Sequence, residues 1–498
     1  MNKPLVQLRH IALKPKRRPW SASLAVWMLL TATTSVAQPS AHPPSSAHSK
    51  FSLSDCIALA LKHNKTIQSA YLERIAQRFD LRVAESKFTP RLSVGPSLTR
   101  SQGATGDPTT IKSAASLTTS VEQDSTIGTR FSLSAGQTFN SGQNGIDGRQ
   151  QGWTLGVVQP LLKGAGHDAA TASVRLARMT EQIHVWALQS TLTNTLVDVA
   201  RSYRQYVRAL RSLDINRQSL TRARELLSIN RTLIQAGRMA EIDLIQSESD
   251  LANQEFSLLA AENDADAARL SLLKLMGLDE GTPLVPDDSL SATRSTYELE
   301  EALATARGNR PDFLTTELNV TLTDTRLALA RNQRLPDLSL VASFGQSRTA
   351  VKGANSLVNP DTWSLGVRLN VPFNDLRLDQ AVVAAEVERD KAKIRFVQEQ
   401  ENLVLEVRNA LRQSEMSWRQ IDLSQRALAL AQRKFEVETE KFKAGRSSNF
   451  QLVSFRNELA NAQNSALNAT IAYLDAITTL EAVLGIVLNN WQITLVAH

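Results

Sequence analysis

One segment of this sequence has the residue types of a cofactor-binding loop. Residues 164–169 read Gly-Ala-Gly-His-Asp-Ala, after a predicted strand and before a predicted helix. Dinucleotide-binding loops have this setting, because their glycines let the backbone approach a pyrophosphate at a helix N-terminus. Such loops lie in a compact strand–helix–strand unit, whereas the whole of 167–236 contains neither Gly nor Pro. The segment is therefore predicted to be a strand-to-helix turn.

The other residues that could support chemistry lack partners at suitable spacing. The seven histidines are scattered, and His184 beside Trp186 is interpreted as helix packing and not as a metal ligand. Cys56 is the single cysteine and lacks the small residues that precede a lipidated cysteine, so it is interpreted as a small apolar residue on a helix face. The sequence has no phosphate loop, paired catalytic carboxylates or nucleophile elbow. The sequence therefore predicts that the protein is not an enzyme and that it binds neither a cofactor nor a metal.

The first 50 residues are predicted to be a targeting segment followed by a flexible leader. Residues 1–37 combine basic residues, a short apolar run and Ser-Val-Ala, which is typical of a secretory signal peptide. Residues 38–50, rich in Pro, Ser and His, are predicted to be a flexible leader. Because residues 1–37 carry six positive and no negative charges, the net charge falls from +7 to +1 without them. The basic pI therefore gives no support for binding nucleic acid.

The remainder of the chain contains one unit twice. Pro90 and Pro336 each precede an alternating stretch, and Ala-Gly-Arg recurs at 236–238 and 444–446. The runs without Gly or Pro that follow these turns, 238–276 and 446–484, are equal in length. An internal repeat of this kind predicts a repeated architecture. The predicted units are residues 51–290 and 291–490, followed by a C-terminal tail at 491–498.

The long runs without helix breakers predict long helices. They are rich in Ala, Leu, Arg, Glu and Gln, and residues such as Leu403, Val407 and Leu411 recur at helical spacing, in a coiled-coil-like stripe. At 1.5 Å per residue, about 65 helical residues reach about 100 Å. The fold is therefore expected to be elongated.

Between the first and second helix of each unit the pattern changes to that of strands. Apolar and polar residues alternate around Leu92 and Trp153 in the first unit and around Leu338 and Trp363 in the second. About four strands per chain, each of roughly ten residues, suit a tilted barrel that crosses a bilayer. Residues 100–150, the long insert of the first unit, are predicted to be either a surface loop or an additional hairpin.

Two hairpins of this kind cannot form a membrane barrel alone. Open sheet edges are not tolerated in lipid, and the smallest outer-membrane barrels have eight strands. Strands from several chains must therefore be pooled, and three copies with four strands each would give twelve.

The order and spacing of these motifs resemble the TolC family of outer-membrane efflux proteins, over residues 51 to about 491. The similarity rests on Pro90 and Pro336, on the sequences Gln-Pro-Leu-Leu-Lys-Gly-Ala-Gly at 159–166 and Val-Pro-Phe-Asn at 371–374, and on the two Ala-Gly-Arg turns. The resemblance implies a mainly α-helical homotrimer, with a twelve-stranded barrel in outer-membrane lipid and a long helical barrel in the periplasm. It further implies a passive duct for efflux or type I secretion, which docks to a periplasmic membrane-fusion (adaptor) protein and an inner-membrane transporter.

The resemblance also assigns functions to particular residues. In the family, inward-facing carboxylates shortly after each Gly turn gate the periplasmic end, and Asp243, six residues after Gly237, matches the first-unit position. The corresponding second-unit positions are Gln451 and Ser454, which depart from this acidic pattern. An acidic ring could close a constriction or select cations. The alternative for Asp243 is a solvated carboxylate near a helix N-terminus. The turns at Gly237 and Gly445, whose geometry is predicted from the glycines themselves, would form the adaptor-docking tip.

Two arginines beside the turn glycines and two tryptophans on the predicted strands are also expected to be functional. Arg238 and Arg446 are expected to be exposed at the docking tip. Trp153 and Trp363, which lie on predicted strands, are expected to be membrane-interface aromatics.

Two other function classes compete with a duct. A secreted coiled-coil structural or adhesin-like protein without a pore would explain the helices and the signal peptide but not the duplicated alternating strands. A periplasmic enzyme has no catalytic constellation to support it. Extraction from membranes separates these classes, because a duct requires detergent.

Overall fold

The computed structural model describes residues 50–103, 110–143, 148–237, 239–287, 290–351 and 360–493. The predicted signal peptide, nearly all of the leader and most of the C-terminal tail lie outside these residues. The helices are α1 (Leu53–His63), α2 (Lys65–Glu85), α3 (Gly166–Gln235), α4 (Glu241–Met276), α5 (Leu299–Asn309), α6 (Pro311–Gln333), α7 (Leu376–Lys443), α8 (Asn449–Val483) and α9 (Val487–Asn490). The strands are β1 (Lys50–Phe51), β2 (Arg91–Gly103), β3 (Thr110–Asp124), β4 (Arg130–Gln143), β5 (Gly148–Pro160), β6 (Val285–Pro286), β7 (Asp337–Val351) and β8 (Asp361–Asn370).

The helix boundaries follow from local chemistry. Ser52 begins α1 with a reciprocal capping box to Asp55, and the Asn64 side chain accepts from the first backbone amides of α2. Pro311 opens α6 at the position where a missing amide proton costs least. The first helix of each predicted unit is thus divided into a short and a longer segment. These segments are α1 and α2 in the first unit, and α5 and α6 in the second.

The two longest helices make the molecule elongated. With 70 residues in α3 and 68 in α7, each reaches about 100 Å at 1.5 Å per residue. Near the strands α2 packs on α3, α3 on α6 and α6 on α7, and at the opposite end α4 packs on α3, α3 on α8 and α8 on α7. A cross-section through the helical part, near the strands or near the opposite end, therefore contains four helices side by side.

Two separate apolar clusters hold the helices together near the middle of the molecule. The larger joins α1, α3, α4 and α9 around Leu192, Tyr203 and Leu272, and the smaller joins α5, α7 and α8 around Leu403 and Leu480. Cys56 belongs to the larger cluster and is 0% exposed. This burial confirms the interpretation of Cys56 as a small apolar residue on a helix face.

Six strands, and not about four, form the principal sheet. Its order is β2-β3-β4-β5-β7-β8, and every neighbouring pair is antiparallel. The extra strands β3 and β4 come from the insert at 100–150, which is therefore a hairpin and not a surface loop. The fold class expected from the sequence, helical with a sheet portion, is confirmed, and the number of strands is corrected.

The two faces of this sheet differ in chemistry. One row of directly paired residues runs across all six strands and is apolar: Leu92, Val121, Leu133, Leu155, Phe344 and Trp363. The next row points to the other face and contains only small or hydroxyl residues: Ser93, Ser120, Ser134, Thr154, Gly345 and Thr362. The alternation that predicted strands therefore produces one apolar and one polar face.

None of the helices in the described ranges is both long enough and apolar enough to cross a membrane.

Candidate functional site

The end of the helical hairpins far from the sheet consists of two exposed turns. Gly237 follows α3 with φ +68°, and Gly445 follows α7 with φ +70°. At the second turn the amide of Gly445 donates to Phe442 O over 3.0 Å, and the amide of Arg446 donates to Lys441 O over 2.8 Å. These bonds satisfy carbonyls at the end of α7, in the geometry that a left-handed glycine permits. Arg446 is exposed there, and Arg238 lies outside the described residues.

Asp243 lies in the first turn of α4, close to this tip. Its amide donates to Ala240 O over 3.2 Å, and its carbonyl accepts from the Ser247 hydroxyl over 2.8 Å. The residue is partly exposed, so its carboxylate can reach solvent while its backbone is fixed. The position suits a carboxylate near a helix N-terminus, where the helix dipole stabilises negative charge.

Beside Asp243 a buried polar cluster joins three helices. The Asn230 amide nitrogen in α3 donates to Ser247 Oγ in α4 over 2.7 Å and to Asn449 Oδ1 in α8 over 2.8 Å. Asn449 Nδ2 donates to Ser247 Oγ over 3.1 Å. All three residues are at most 2% exposed. Since buried polar groups are costly when unpaired, this cluster fixes the positions of the three helices relative to one another.

A buried ion pair lies further from the tip, three residues after Ser247 in α4 and seven residues after Asn449 in α8. Arg456 in α8 donates from Nη1 to Asp250 Oδ2 over 2.7 Å and from Nη2 to Asp250 Oδ1 over 2.5 Å, so the pair is bidentate. The side chains are 2% and 10% exposed. The pair directly connects α4 and α8, the two shorter helices of the hairpins. A bidentate geometry of this kind specifies the relative orientation of the two helices.

A second buried carboxylate stabilises the turn after α7. Glu438, with a side chain 4% exposed, accepts from the Ser447 hydroxyl over 2.5 Å and from Lys441 Nζ over 3.4 Å. The Ser447 hydrogen bond, with a smaller contribution from Lys441, holds the pKa of Glu438 below its ordinary value. Glu438 therefore remains a carboxylate and ties the end of α7 to the beginning of α8.

The turn geometry expected at Gly237 and Gly445 is present, the gating role of Asp243 stays a prediction, and the buried polar residues around them were not expected from the sequence. Asn230 and Glu438 each stand seven residues before their turn glycine, so a polar residue at matching positions of the two units was a usable signal. Asp250 and Arg456 are separated by 206 residues and carry no such local signal.

The strand-to-helix segment at 164–169 has the predicted turn geometry. Gly164 and Gly166 both have positive φ, and the Gly164 amide donates to Asn332 Oδ1 over 2.8 Å. The Gly166 amide donates to Ile127 O over 3.2 Å, which fixes the turn between β3 and β4 against it. These glycine amides are therefore bound to the protein itself. Among the described residues no group of three or more His, Cys, Asp or Glu side chains could hold a metal ion.

The two predicted interface tryptophans both lie on the apolar face of the sheet. Trp153 in β5 packs edge-on against Phe344, with ring centroids 5.4 Å apart. Trp363 in β8, paired with Phe344 in the sheet register, is 79% exposed in the single chain. Their location in a membrane interface stays a prediction.

Comparison with known proteins identifies relatives of this architecture. The family model described as outer membrane efflux protein matches residues 56–278 and 302–486. The pyoverdine export outer membrane protein OpmQ of Pseudomonas aeruginosa is 29% identical over 228 residues, which are 45% of this chain and 44% of that protein.

Solved structures show the same fold at low sequence identity. The Campylobacter jejuni CmeC outer membrane channel has a TM-score of 0.67 at 17% identity and is matched over 87% of this chain and 85% of its own. The outer membrane protein VceC of Vibrio cholerae has a TM-score of 0.67 at 16% identity, over 87% of this chain and 96% of its own.

Proposed function

Because the chain belongs to the outer membrane efflux protein family, we propose that it is the outer-membrane exit duct of a tripartite efflux or type I secretion system. In this proposal three copies form a passive channel, with the sheets in the outer membrane and the helices in the periplasm. A periplasmic adaptor protein and an inner-membrane transporter complete the assembly. The duct catalyses no reaction, and the transporter supplies the energy.

The sheet is the observation that carries this proposal. Within the described part of the chain, β2 and β8 are each paired on one side only, and the apolar row runs from one edge to the other. Unpaired backbone groups in lipid cost several kcal/mol each, by order of magnitude. The sheet can therefore lie in a membrane only when β8 of one copy pairs with β2 of the next. Closure by identical copies also turns the polar row toward an enclosed lumen.

The helical layer supports the same assembly. Four helices stand side by side at each level of one chain, so three chains supply twelve helices around one tube. Many apolar side chains remain exposed on the single chain, including Leu423 and Leu430 of α7, at 63% and 65%. Contacts with neighbouring copies would cover such side chains. This arrangement accounts for the two-faced sheet and the exposed apolar side chains, which the coiled-coil alternative without a pore leaves unexplained.

The tip is proposed to contain the gate and the docking surface. Asp243 copies would meet near the axis of the tube as a ring of carboxylates, and the exposed turns at Gly237 and Gly445, with Arg238 and Arg446, would contact the adaptor. The buried cluster of Asn230, Ser247 and Asn449 would hold the closed position of the helices that carry Asp243.

The cargo is proposed to be hydrophilic, which suits a lumen lined by the polar row of the sheet. The relative OpmQ is described as a pyoverdine export protein, and the chain spans less than half the length of that relative. Because the duct is passive, selection between cargoes is expected to reside in the transporter.

The first experiment is detergent extraction of the native protein from outer membranes, followed by mass determination and single-channel recording in a planar bilayer. We expect a trimer with a small conductance in the closed state. A monomeric species that does not conduct ions would contradict the proposal.

The gating role is tested separately with Asp243→Ala. Loss of the carboxylate ring should raise both the single-channel conductance and the leakage of large hydrophilic antibiotics into cells. Glu241→Ala is the matched control, because Glu241 lies in the same helical turn. Equal conductance and leakage for wild type and Asp243→Ala would contradict the gate assignment.

A further inference from the structure

The hairpin formed by β3 and β4 belongs to the first half of the chain, whereas the described strands β7 and β8 of the second half pair directly with each other. It extends from Thr110 to Gln143. The interval from Pro90 to Pro160 exceeds the interval from Pro336 to Pro372 by the length of this hairpin. The insertion therefore consists of one whole hairpin added to an otherwise duplicated design.

This hairpin has the properties of a wall segment. β3 pairs with β2 over the full length of β2, and β4 pairs with β5 along consecutive residues from Arg130 to Asn140. Its own turn lies at the helical end of the sheet, where Ile127 accepts from the Gly166 amide. The added strands thus extend between the same two ends as the neighbouring strands.

The chemistry of the two faces continues without interruption through the added strands. Val121 and Leu133 lie in the apolar row, and Ser120 and Ser134 lie in the polar row. On the polar face Ser93 and Ser120 are hydrogen-bonded over 2.7 Å, and Ser97 and Ser116 over 2.8 Å. A hairpin folded into the lumen or above the membrane would not need an apolar face matched to its neighbours.

We propose that β3 and β4 are part of the membrane wall, so that the trimer has a barrel of eighteen strands and a lumen lined by small hydroxyl side chains. This inference rests on the proposed trimeric duct and specifies the dimensions of its membrane part. Because barrel diameter grows almost linearly with strand number, the barrel is about 1.5 times as wide as one of twelve strands.

The tilt of the strands supports closure at this size. The apolar row begins at Leu92, one residue from the start of β2, and ends at Trp363, seven residues before the end of β8 at Asn370. Arg91 and Asn370 both adjoin the helical layer, so the row climbs by about six residues across the sheet. With about 3.3 Å per residue and about 4.8 Å between strands, this slope corresponds to a tilt of about 40°, which is typical of closed barrels.

The circumference of the helical tube also matches the circumference of an eighteen-stranded barrel. Twelve helices spaced by about 8–10 Å surround a tube of about 100–120 Å circumference. Eighteen strands tilted by about 40° occupy about 113 Å, whereas twelve occupy about 75 Å. The eighteen-stranded barrel therefore continues the helical tube without a narrowing, and the membrane part imposes no size limit below that of the tube.

The experiment compares two pairs of cysteine variants in intact outer membranes with a hydrophilic, membrane-impermeant maleimide. Ser134→Cys and Leu133→Cys test β4, and Ser364→Cys and Leu365→Cys are the reference pair in β8. Cys56 contributes little background because it is buried. We expect at least tenfold faster labelling of Ser134→Cys than of Leu133→Cys, with the same ratio in the reference pair.

The outcomes separate the two levels of the proposal. Equal labelling of both β4 variants, with the reference pair still differing, would overturn the eighteen-stranded wall and leave the duct intact. Equal labelling in the reference pair would instead contradict the membrane barrel itself. Electron cryomicroscopy of the unmodified trimer provides a second measurement, with eighteen strands expected and twelve as the contradicting count.

Discussion

At the scale of residues, the tip combines an apolar cluster around Leu226, Phe442 and Leu452 with buried polar contacts. The bidentate contact between Asp250 and Arg456 places two charges away from water, which is favourable only while both partners are present. The pair therefore holds α4 and α8 together only while both side chains are present. Removal of one partner leaves an uncompensated charge, whereas removal of both leaves a smaller defect.

Arg456→Ala should therefore destabilise the protein strongly. We expect a loss of about 3–5 kcal/mol in unfolding free energy, since the Asp250 carboxylate is left buried without its partner. The measurement is the apparent melting temperature of the detergent-solubilised protein, followed by helical circular dichroism.

Lys434→Ala is the matched control for this change. Lys434 and Glu458 also join two helices, over 2.6 Å, but their side chains are 48% and 46% exposed. Exposed pairs contribute about 0–1 kcal/mol, so this variant should melt close to wild type. Similar melting temperatures for the two variants would show that the buried pair is not a stabilising link.

Glu438 should make the tip sensitive to acid. Its pKa is lowered in the folded protein, chiefly by the Ser447 hydroxyl, so the carboxylate contributes stability above the ordinary glutamate pKa of about 4.3. That contribution is lost as the pH falls below about 4.3 and through the lowered folded pKa. Wild type should therefore melt higher than Ser447→Ala at pH 7, and the difference should shrink toward pH 3. A difference that does not change with pH would assign the effect to the hydroxyl alone.

The sequence could identify some of these residues and not others. Gly237, Gly445 and Asp243 were recognisable because a breaker after a long helix and a carboxylate in the next turn are local patterns. The Asp250–Arg456 pair depends on the distance of closest approach between α4 and α8, which no local pattern specifies. An isolated Asp or Arg on a helix is in most cases solvated, so nothing in the sequence singles out these two.

At the scale of elements, the exposed turns determine what the tip can offer to a partner. Gly445 is exposed, has φ +70°, and is surrounded by open space where a side chain would begin. Its importance is therefore in the backbone conformation, while recognition must come from neighbouring side chains such as Arg446.

Arg446→Glu should weaken docking without affecting the fold. Reversing an exposed charge at the proposed contact should reduce site-specific cross-linking to the periplasmic adaptor, by roughly tenfold for a loss of about 1.4 kcal/mol. Arg433→Glu, an exposed position on the side of α7, is the control and should cross-link like wild type. Unchanged cross-linking of Arg446→Glu would place the adaptor elsewhere.

The long helices were predictable from sequence, whereas the number of strands was not. A run as long as 167–236 without Gly or Pro leaves few alternatives to helix. In β3 the residues Ser, Thr and Ala are so frequent that few large apolar residues, such as Leu117 and Val121, mark the apolar face, and hydropathy alternation is correspondingly weak. The pairing of β3 with β2 and β4 supplies the information that composition lacks.

At the scale of the whole molecule, assembly in the membrane depends on which face of the sheet is substituted. Val367→Arg on the apolar face should lower the amount of trimer in the outer membrane, because an arginine that faces lipid is destabilising, by up to about 2–4 kcal/mol in the deepest positions. Ser364→Arg, on the polar face of the same strand, should assemble normally. Quantitative immunoblotting of unheated outer-membrane samples measures the trimer, and equal amounts for both variants would contradict the assignment of the faces.

The added hairpin also determines the symmetry that different partners meet. Because α2, α3 and α4 have counterparts in α6, α7 and α8, the proposed trimer presents six nearly equivalent helical hairpins at its periplasmic end. The β3–β4 hairpin has no counterpart between the described strands β7 and β8 of the second half, so the outer-membrane end has strict threefold symmetry only. An adaptor could therefore engage the tip with six subunits, while any agent that binds the cell-surface end would find three identical sites.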